Sequence, residues 1–403
     1  MAFVSIGMDG HSTASTSADR SGPALERGIL ITIHRLSHGG ADRVAILLAN
    51  GFAEAGIPVG IAILRGDGEG EQGLLKLLRD DVRRWTAGPP MGSRHLELLR
   101  GLGFIRRLVS SERPSLVLAS SNNMGLVTGL AARMGTPAVR PAFAMKTTNP
   151  VIRPCDRSTI RKAYRRRLYR FVFSPYDLIL NLTLDERKTL ERICPKMKSK
   201  FSVVANPYVT SDMLIGRPSP SGSSARILTA ARMMPQKRLD VLLRAFARME
   251  RTDSRLTILG EGPERPRLEA LARALGIEDR VEMPGFADSI IPWLSRASLF
   301  VLSSDYEGLP AAIFEAFACK VPVVTTDSFE GARALLTNAP RSSVVPLGDV
   351  AALARAMDDS LEAKAELTSL RQLACGYEVN TAIASHLGEL KPLLHSHHRA
   401  SGT

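Results

Sequence analysis

Apolar positions along this chain fall into two textures. Short unbroken apolar runs, such as Gly28–His34 (GILITIH), Ile57–Leu64 and Ser298–Leu302, have the length and character of strands buried on both faces. Longer stretches repeat apolar residues at helical spacing: Val44, Leu47, Leu48 and Phe52 share one face of a helix predicted over Ala41–Ala55. In the first half, further strands are predicted at Ser115–Ala119, Pro137–Pro141, Asp177–Asn181 and Phe201–Ala205, with helices over Arg94–Ser111, Gly125–Met134 and Thr183–Ile193. The alternation restarts with strands at Arg226–Ala231, Arg255–Leu259, Arg280–Met283 and Val321–Thr325. Helices over Leu239–Glu250, Ile290–Arg296, Asp349–Leu361 and Tyr377–Leu394 lie between or after them. Strands alternating with helices predict parallel sheets covered on both sides, so the fold class is α/β, with two doubly wound, Rossmann-like domains facing across a cleft.

Punctuation in the pattern sets the expected boundaries. The stretch Arg217–Ser224 (RPSPSGSS) is rich in Pro, Gly and Ser, as linkers are. The expected organisation is a disordered tail over 1–27, a first domain over 28–205, a linker over 206–224 and a second domain over 225–375. A helical segment over 376–403 is expected to pack back on the first domain. The tail lacks the apolar core of a signal peptide, and no stretch reaches the roughly 18 apolar residues of a membrane span, so a cytoplasmic location is expected.

Charge changes the picture more than composition does. Residues 1–205 hold 31 Lys and Arg against 17 Asp and Glu, whereas the remainder holds 22 against 23, so the net +13 lies entirely in the first half. A basic half points to an anionic partner. Between Phe143 and Arg170, Arg161, Lys162, Arg165, Arg166, Arg167 and Arg170 interleave with Tyr164, Leu168 and Tyr169, a composition suited to an anionic bilayer surface. It carries no nucleic-acid recognition motif, and the acidic second half would repel a phosphate backbone. The four cysteines form no CxxC and do not cluster with histidine, so no metal site is expected. The His-rich tip His395–His398 has residues that can bind a metal, but a frayed chain end is the expectation.

The chemistry gathers around Ser303–Val324 (SSDYEGLPAAIFEAFACKVPVV). A strand leads into a polar turn with Asp305, Glu307 and Gly308, and Pro310 opens a helix that carries Glu315. The helix start offers free N–H groups and the positive end of its dipole to an anion. Two carboxylates beside an anion site are suited to hydroxyls, such as those of a ribose and a hexose. A helix N-terminus and nearby cations should favour their ionised forms, which suits accepting hydrogen bonds better than acid catalysis. Arg232 and Lys237, five residues apart after the strand Arg226–Ala231, can clamp a diphosphate and stabilise it as it departs. In the first half, Gly39 and Gly40 let backbone approach a phosphate. Asn122 and Asn123, placed in a loop, could meet a sugar hydroxyl or cap a helix.

Together these residues resemble the retaining glycosyltransferases of family 4, whose two Rossmann-like domains form the GT-B fold. Arg232 and Lys237 match the family's diphosphate clamp, and Glu307 through Glu315 matches its Glu-x7-Glu motif. Gly260–Phe286 matches the nucleotide-side segment, and His38–Arg43 (HGGADR) resembles the family's glycine loop. The resemblance covers about residues 28–390. It implies that Glu307, Arg232 and Lys237 are the catalytic set. Donor contacts would then come from Gly39, Gly40, Gly262, Phe286, Gly308, Leu309, Pro310 and Glu315. Asn122, Asn123 and Lys146 would contact the acceptor or sugar. It implies transfer of a hexose from a UDP- or GDP-sugar with retention and without a metal or other cofactor. Ser120–Asn123 stands where many relatives carry a histidine, and Lys146–Pro150 (KTTNP) has Lys where many have Arg. The Ser120–Asn123 loop is closer to the subgroup that builds bacterial surface polysaccharides and lipid-linked glycans, and KTTNP resembles that subgroup apart from its Lys. The implied setting is peripheral, on the inner face of the cell membrane, with a saccharide or lipid-linked acceptor. A soluble acceptor, or a nucleotide-binding protein without catalysis, are the competing readings.

Overall fold

The computed structural model describes residues 25–36, 40–66, 75–134, 140–148, 158–215 and 224–396. The first sheet contains β1 (Ile29–Arg35), β2 (Val59–Arg65), β3 (Arg83–Thr86), β4 (Leu116–Ala119), β5 (Ala142–Lys146), β6 (Leu178–Asn181) and β7 (Phe201–Val203). Its order is β3-β2-β1-β4-β5-β6-β7. The second contains β8 (Arg226–Ala230), β9 (Arg255–Leu259), β10 (Val281–Gly285), β11 (Leu299–Leu302), β12 (Val323–Thr326) and β13 (Ser343–Val345), in the order β10-β9-β8-β11-β12-β13. The pairings are parallel. Every residue of β4, β6, β11 and β12 is buried, as strands with helices on both faces must be.

The longer helices are α1 (Gly40–Glu54), α2 (Arg94–Glu112), α3 (Asn122–Arg133), α4 (Thr159–Phe173), α5 (Leu184–Ile193), α6 (Leu239–Phe246), α7 (Arg265–Ala274), α8 (Ala311–Ala318), α9 (Val350–Glu362) and α10 (Val379–Ser396). In each sheet the strand order reverses once, between β1 and β4 and between β8 and β11. Loops leaving the strands on either side of such a reversal diverge and open a crevice beyond the carboxyl ends.

The two sheets share a continuous apolar core. It runs from Val44, Leu48 and Phe52 on α1 through Leu309, Phe314 and Phe317 to Ile383 and Leu390 on α10. α10 lies so close to α1 that a Cβ at Gly51 would sit 2.0 Å from Ile383 Cδ1. The connecting segment is tied in as well: Tyr208 N–H and Val209 N–H both donate to Tyr377 C=O at 2.9 Å. The Tyr208 ring stacks on Phe314 and Tyr377, with centroids 5.7 and 6.0 Å away.

Several sequence expectations shift. Leu25 is buried and Glu26 pairs with Pro114, so residues 25–27 belong to the first domain rather than to a tail. Of the strand expected over Pro137–Pro141, residues 137–139 lie outside the described residues; the strand that is seen, β5, starts after Pro141, which has no N–H for the ladder. Lys146 therefore ends a strand. α3 begins at Asn122, not at Gly125. Strands β3 and β13 were not anticipated. The tip His397–His398 lies outside the described residues.

Candidate functional site

The loops at the second sheet's reversal carry most of the predicted residues. After β8 the chain turns at Met233 and passes through a short 3-10 turn, Pro235–Lys237, to α6. After β11 it runs through Ser303–Pro310 into α8. The two loops are laced together. Asp305 N–H donates to Gln236 C=O at 2.9 Å, Ser303 Oγ to Lys237 C=O at 2.9 Å, and Gln236 Nε2 to Tyr306 C=O at 2.5 Å. Arg238, in a left-handed conformation with φ of 47°, reaches Asp305 Oδ1 at 3.1 Å.

This lacing brings Lys237 and Glu307 together, although 70 residues separate them. Lys237 Nζ donates to Glu307 Oε1 at 2.6 Å, and Ser304 Oγ donates to the same oxygen at 2.5 Å. The Glu307 side chain is nearly buried, so its charge is compensated by a fixed cation and a hydroxyl rather than by water. Arg232 stands apart on the exposed rim of the same loop, with no ion pair or side-chain hydrogen bond among the described residues. The N–H groups of Gly308 and Leu309 have no partner there either. No side chain caps α8, whose N-cap is Pro310 rather than a first helical residue. One free guanidinium, one ammonium and several unpaired backbone donors thus surround the mouth of a helix, an arrangement suited to a di-anion.

Gly262 has a supporting place. A Cβ there would meet Met233 C=O at 2.4 Å, and one on Gly260 would meet Ala231 C=O at 2.2 Å. Met233 N–H in turn donates to Glu261 C=O at 2.8 Å. The two glycines let the loop after β9 press directly on the backbone flanking Arg232. Phe286 follows β10, the edge strand, and is exposed.

Glu315 is buried on α8. Burial pushes its carboxyl up from the ordinary glutamate range, and Arg43 draws it partly back. The expectation that helix and cations would simply favour its charged form therefore fails: desolvation outweighs them at this position. Arg43 belongs to the other domain, on α1, and its Nη1 donates to Glu315 Oε1 at 3.2 Å. The neighbouring Leu309 C=O accepts from Tyr208 Oη at 2.8 Å, which pins the turn to the connecting segment.

In the first domain, Gly40 starts α1 with open space around it, since a Cβ would meet nothing within 4 Å. Gly39 lies outside the described residues. Asn122 holds protein groups. Its Oδ1 accepts from Thr148 N–H at 2.7 Å and Oγ1 at 3.1 Å, while Nδ2 donates to Tyr169 Oη at 3.0 Å. It therefore fastens the segment after β5 to α4. Helix capping falls to Ser121, whose Oγ accepts from Met124 N–H, so neither asparagine fills that role. Asn123 is exposed on the first turn of α3.

Lys146 is fully buried and hydrogen-bonded to His386 Nε2 on α10. Burial lowers its pKa to about 7 and holds His386 well below the usual histidine value. His386 Nδ1 faces Ala382 C=O at 2.8 Å, so the proton on that nitrogen leaves Nε2 to accept from the lysine. Glu186, in the first turn of α5, is raised to about 7, again by burial. Beside it Thr189 Oγ1 donates to Glu330 Oε1 at 3.3 Å across the domains.

Sequence reasoning placed Lys237, Glu307 and Glu315 in one site and missed Arg43, Ser304, Tyr208 and His386 as partners. The signal for Arg43 was present in the glycine loop HGGADR; His386 has none, lying 240 residues from Lys146. Among the described residues no group of three or more His, Cys, Asp or Glu side chains could hold a metal. Nor is any described helix long and apolar enough to cross a membrane.

Comparison with known proteins points one way. Residues 39–206 match the glycosyl transferase 4-like domain, and residues 224–363 match glycosyl transferases group 1. A Campylobacter jejuni N-acetylgalactosamine-N,N'-diacetylbacillosaminyl-diphospho-undecaprenol 4-alpha-N-acetylgalactosaminyltransferase is 26% identical over 76% of this chain and 82% of its own length. Exopolysaccharide phosphotransferase SCO2592 of Streptomyces coelicolor is 31% identical over 52% of this chain, a match spanning only 22% of that protein. Among solved structures, Anabaena Alr3699/HepE in complex with UDP and glucose superposes with a TM-score of 0.72 at 17% identity, over 91% of this chain and 99% of that one. The likeness establishes the GT-B fold.

Proposed function

This chain belongs to the group 1 glycosyltransferases with a family 4-like first domain, and we propose that it is a retaining hexosyltransferase of bacterial surface glycan assembly. The donor is a UDP- or GDP-linked sugar, and the acceptor is a lipid-linked or growing saccharide. The observation that carries this reading is the convergence of Lys237, Glu307, unpaired Arg232 and the free N–H groups of Gly308 and Leu309 at one sheet reversal. The Campylobacter transferase and the structure with UDP and glucose support the acceptor and donor classes.

In this reading the donor diphosphate lies against Arg232, Lys237 and the start of α8. As the bond to the sugar breaks, negative charge grows on the leaving phosphate, and the fixed cations stabilise it there. Glu307, held against Lys237 Nζ, accepts hydrogen bonds from the sugar, and Glu315 accepts them from the ribose. The acceptor hydroxyl attacks from the face the phosphate leaves and passes its proton to a phosphate oxygen. The configuration at the anomeric carbon is then retained, and no metal takes part.

The first domain would hold the acceptor and lie on the inner face of the cell membrane. On α4, Ile160, Tyr164 and Phe171 are exposed along one stripe, with Arg161, Arg166 and Arg167 exposed around them. An apolar stripe among arginines suits the boundary between acyl chains and anionic headgroups.

Incubation with UDP- and GDP-hexoses and glycolipid acceptors from bacterial membranes tests the reading. The product's anomeric proton coupling should match that of the donor. A product of inverted configuration would refute retention, and donor left unconsumed with every acceptor would refute the activity.

A further inference from the structure

The Arg43–Glu315 contact spans 272 residues and joins the two domains at the candidate donor site. Glu315 sits in a nearly closed environment, its side chain 10% exposed, while Arg43 is 36% exposed. The Tyr208 hydroxyl, from the connecting segment, lies within electrostatic reach of both Glu315 and Glu307. Among the described residues Arg43 is the cation that acts on Glu315. A buried carboxyl whose partner cation comes from another domain keeps that partner only while the domains are together.

We propose that Arg43 is a positioning residue of the donor site, whose hydrogen bond orients the Glu315 carboxyl toward a nucleoside diol only while the two domains are closed. The inference rests on the donor-site reading above and adds to it a contribution from the opposite domain. Separation of the domains withdraws Arg43, the Glu315 carboxyl loses the hydrogen bond that orients it, and its grip on the diol weakens. Nucleotide release is thereby coupled to opening. A pH dependence follows from burial: without its cation, Glu315 holds a proton to higher pH.

The test uses the full chain, with UDP, GDP and their 2′,3′-dideoxy counterparts as probes, titrated calorimetrically from about pH 5 to about pH 9. In wild type the dideoxy probe should bind about ten- to a hundredfold more weakly, the loss expected when bonds to a buried acceptor go unmade. Arg43→Met should lose most of that discrimination, and the pH below which the natural probe is released should move upward. Arg43→Lys should restore both in part. In a Glu315→Gln background, Arg43→Met should change neither quantity. An Arg43→Met chain with unaltered discrimination and an unaltered pH profile overturns the inference. A wild-type chain that binds neither UDP nor GDP overturns the donor-site reading instead.

Discussion

Replacing Lys146 by methionine should leave the protein as stable as before or more so, although it removes a buried hydrogen bond. Burial lowers the lysine from an ordinary value of 10.5 to about 7. At about 1.4 kcal/mol per pH unit, that displacement corresponds to a penalty near 5 kcal/mol below pH 7 and near 3 kcal/mol at pH 8. Methionine fills a similar volume without the charge but leaves His386 Nε2 without its donor, which costs about 1–3 kcal/mol. The balance is a stabilising change of about 2–4 kcal/mol just below pH 7. The pH dependence is the sharper signature. Above pH 7 the unfolded chain still binds the lysine proton and the folded chain does not, so wild-type stability rises with pH through this window. Glu186 acts in a lower window. Its folded value of about 7 against an ordinary 4.5 means that its contribution falls as pH rises between those values, then stays constant. Urea denaturation at pH steps from about 7 to about 9 should show a rising midpoint for wild type and a flat one for Lys146→Met. A variant that loses more than about 2 kcal/mol while keeping the wild-type slope would refute this account of the buried pair.

Other substitutions probe the remaining joints of the structure. Gly260→Ala places a Cβ 2.2 Å from Ala231 C=O at a φ of +125° and should lower stability by about 2–4 kcal/mol in thermal melts. Gly40→Ala, with nothing within 4 Å, should leave the melting temperature unchanged and weaken nucleotide-sugar binding. Tyr208→Phe removes the hydroxyl that donates to Leu309 C=O at 2.8 Å and accepts from Asn206 Nδ2 at 2.7 Å, and should cost about 1–3 kcal/mol by denaturation. Replacing Ile160, Tyr164 and Phe171 together by serine should abolish flotation with anionic vesicles at low salt; flotation equal to wild type would place the membrane contact elsewhere.

The strands at the centre of each sheet were legible because they are buried on both faces and bounded by Gly or Pro. The edge strand β3 was not, since only Trp85 of its four residues is buried and Arg83, Arg84 and Thr86 face partly outward. The start of α3 was misplaced because Asn122 and Asn123 were read as part of a loop, although both lie in the helix. Gly125 serves packing: a Cβ there would lie 2.6 Å from Met145 Cε, so the helix can press on β5. In the site, Glu315 was readable as a carboxylate among apolar neighbours, where its presence demands a reason, and Glu307 as a carboxylate in the polar turn before the helix. Their partners were not. Arg43–Glu315 and Lys146–His386 join residues 272 and 240 positions apart, and the hydrophobic pattern fixes which face of a helix is buried, not which helix meets it.

The central claim is that Lys237, Arg232 and Glu307 form one site for the departing diphosphate and the transferred sugar. Initial rates of radiolabelled sugar transfer by Lys237→Ala, Arg232→Ala and Glu307→Ala, each with wild-type circular dichroism, test it most directly. Loss of fixed charge at the reacting group predicts rates lower by about a hundred- to a thousandfold. Rates within about twofold of wild type in all three folded variants would contradict the assignment.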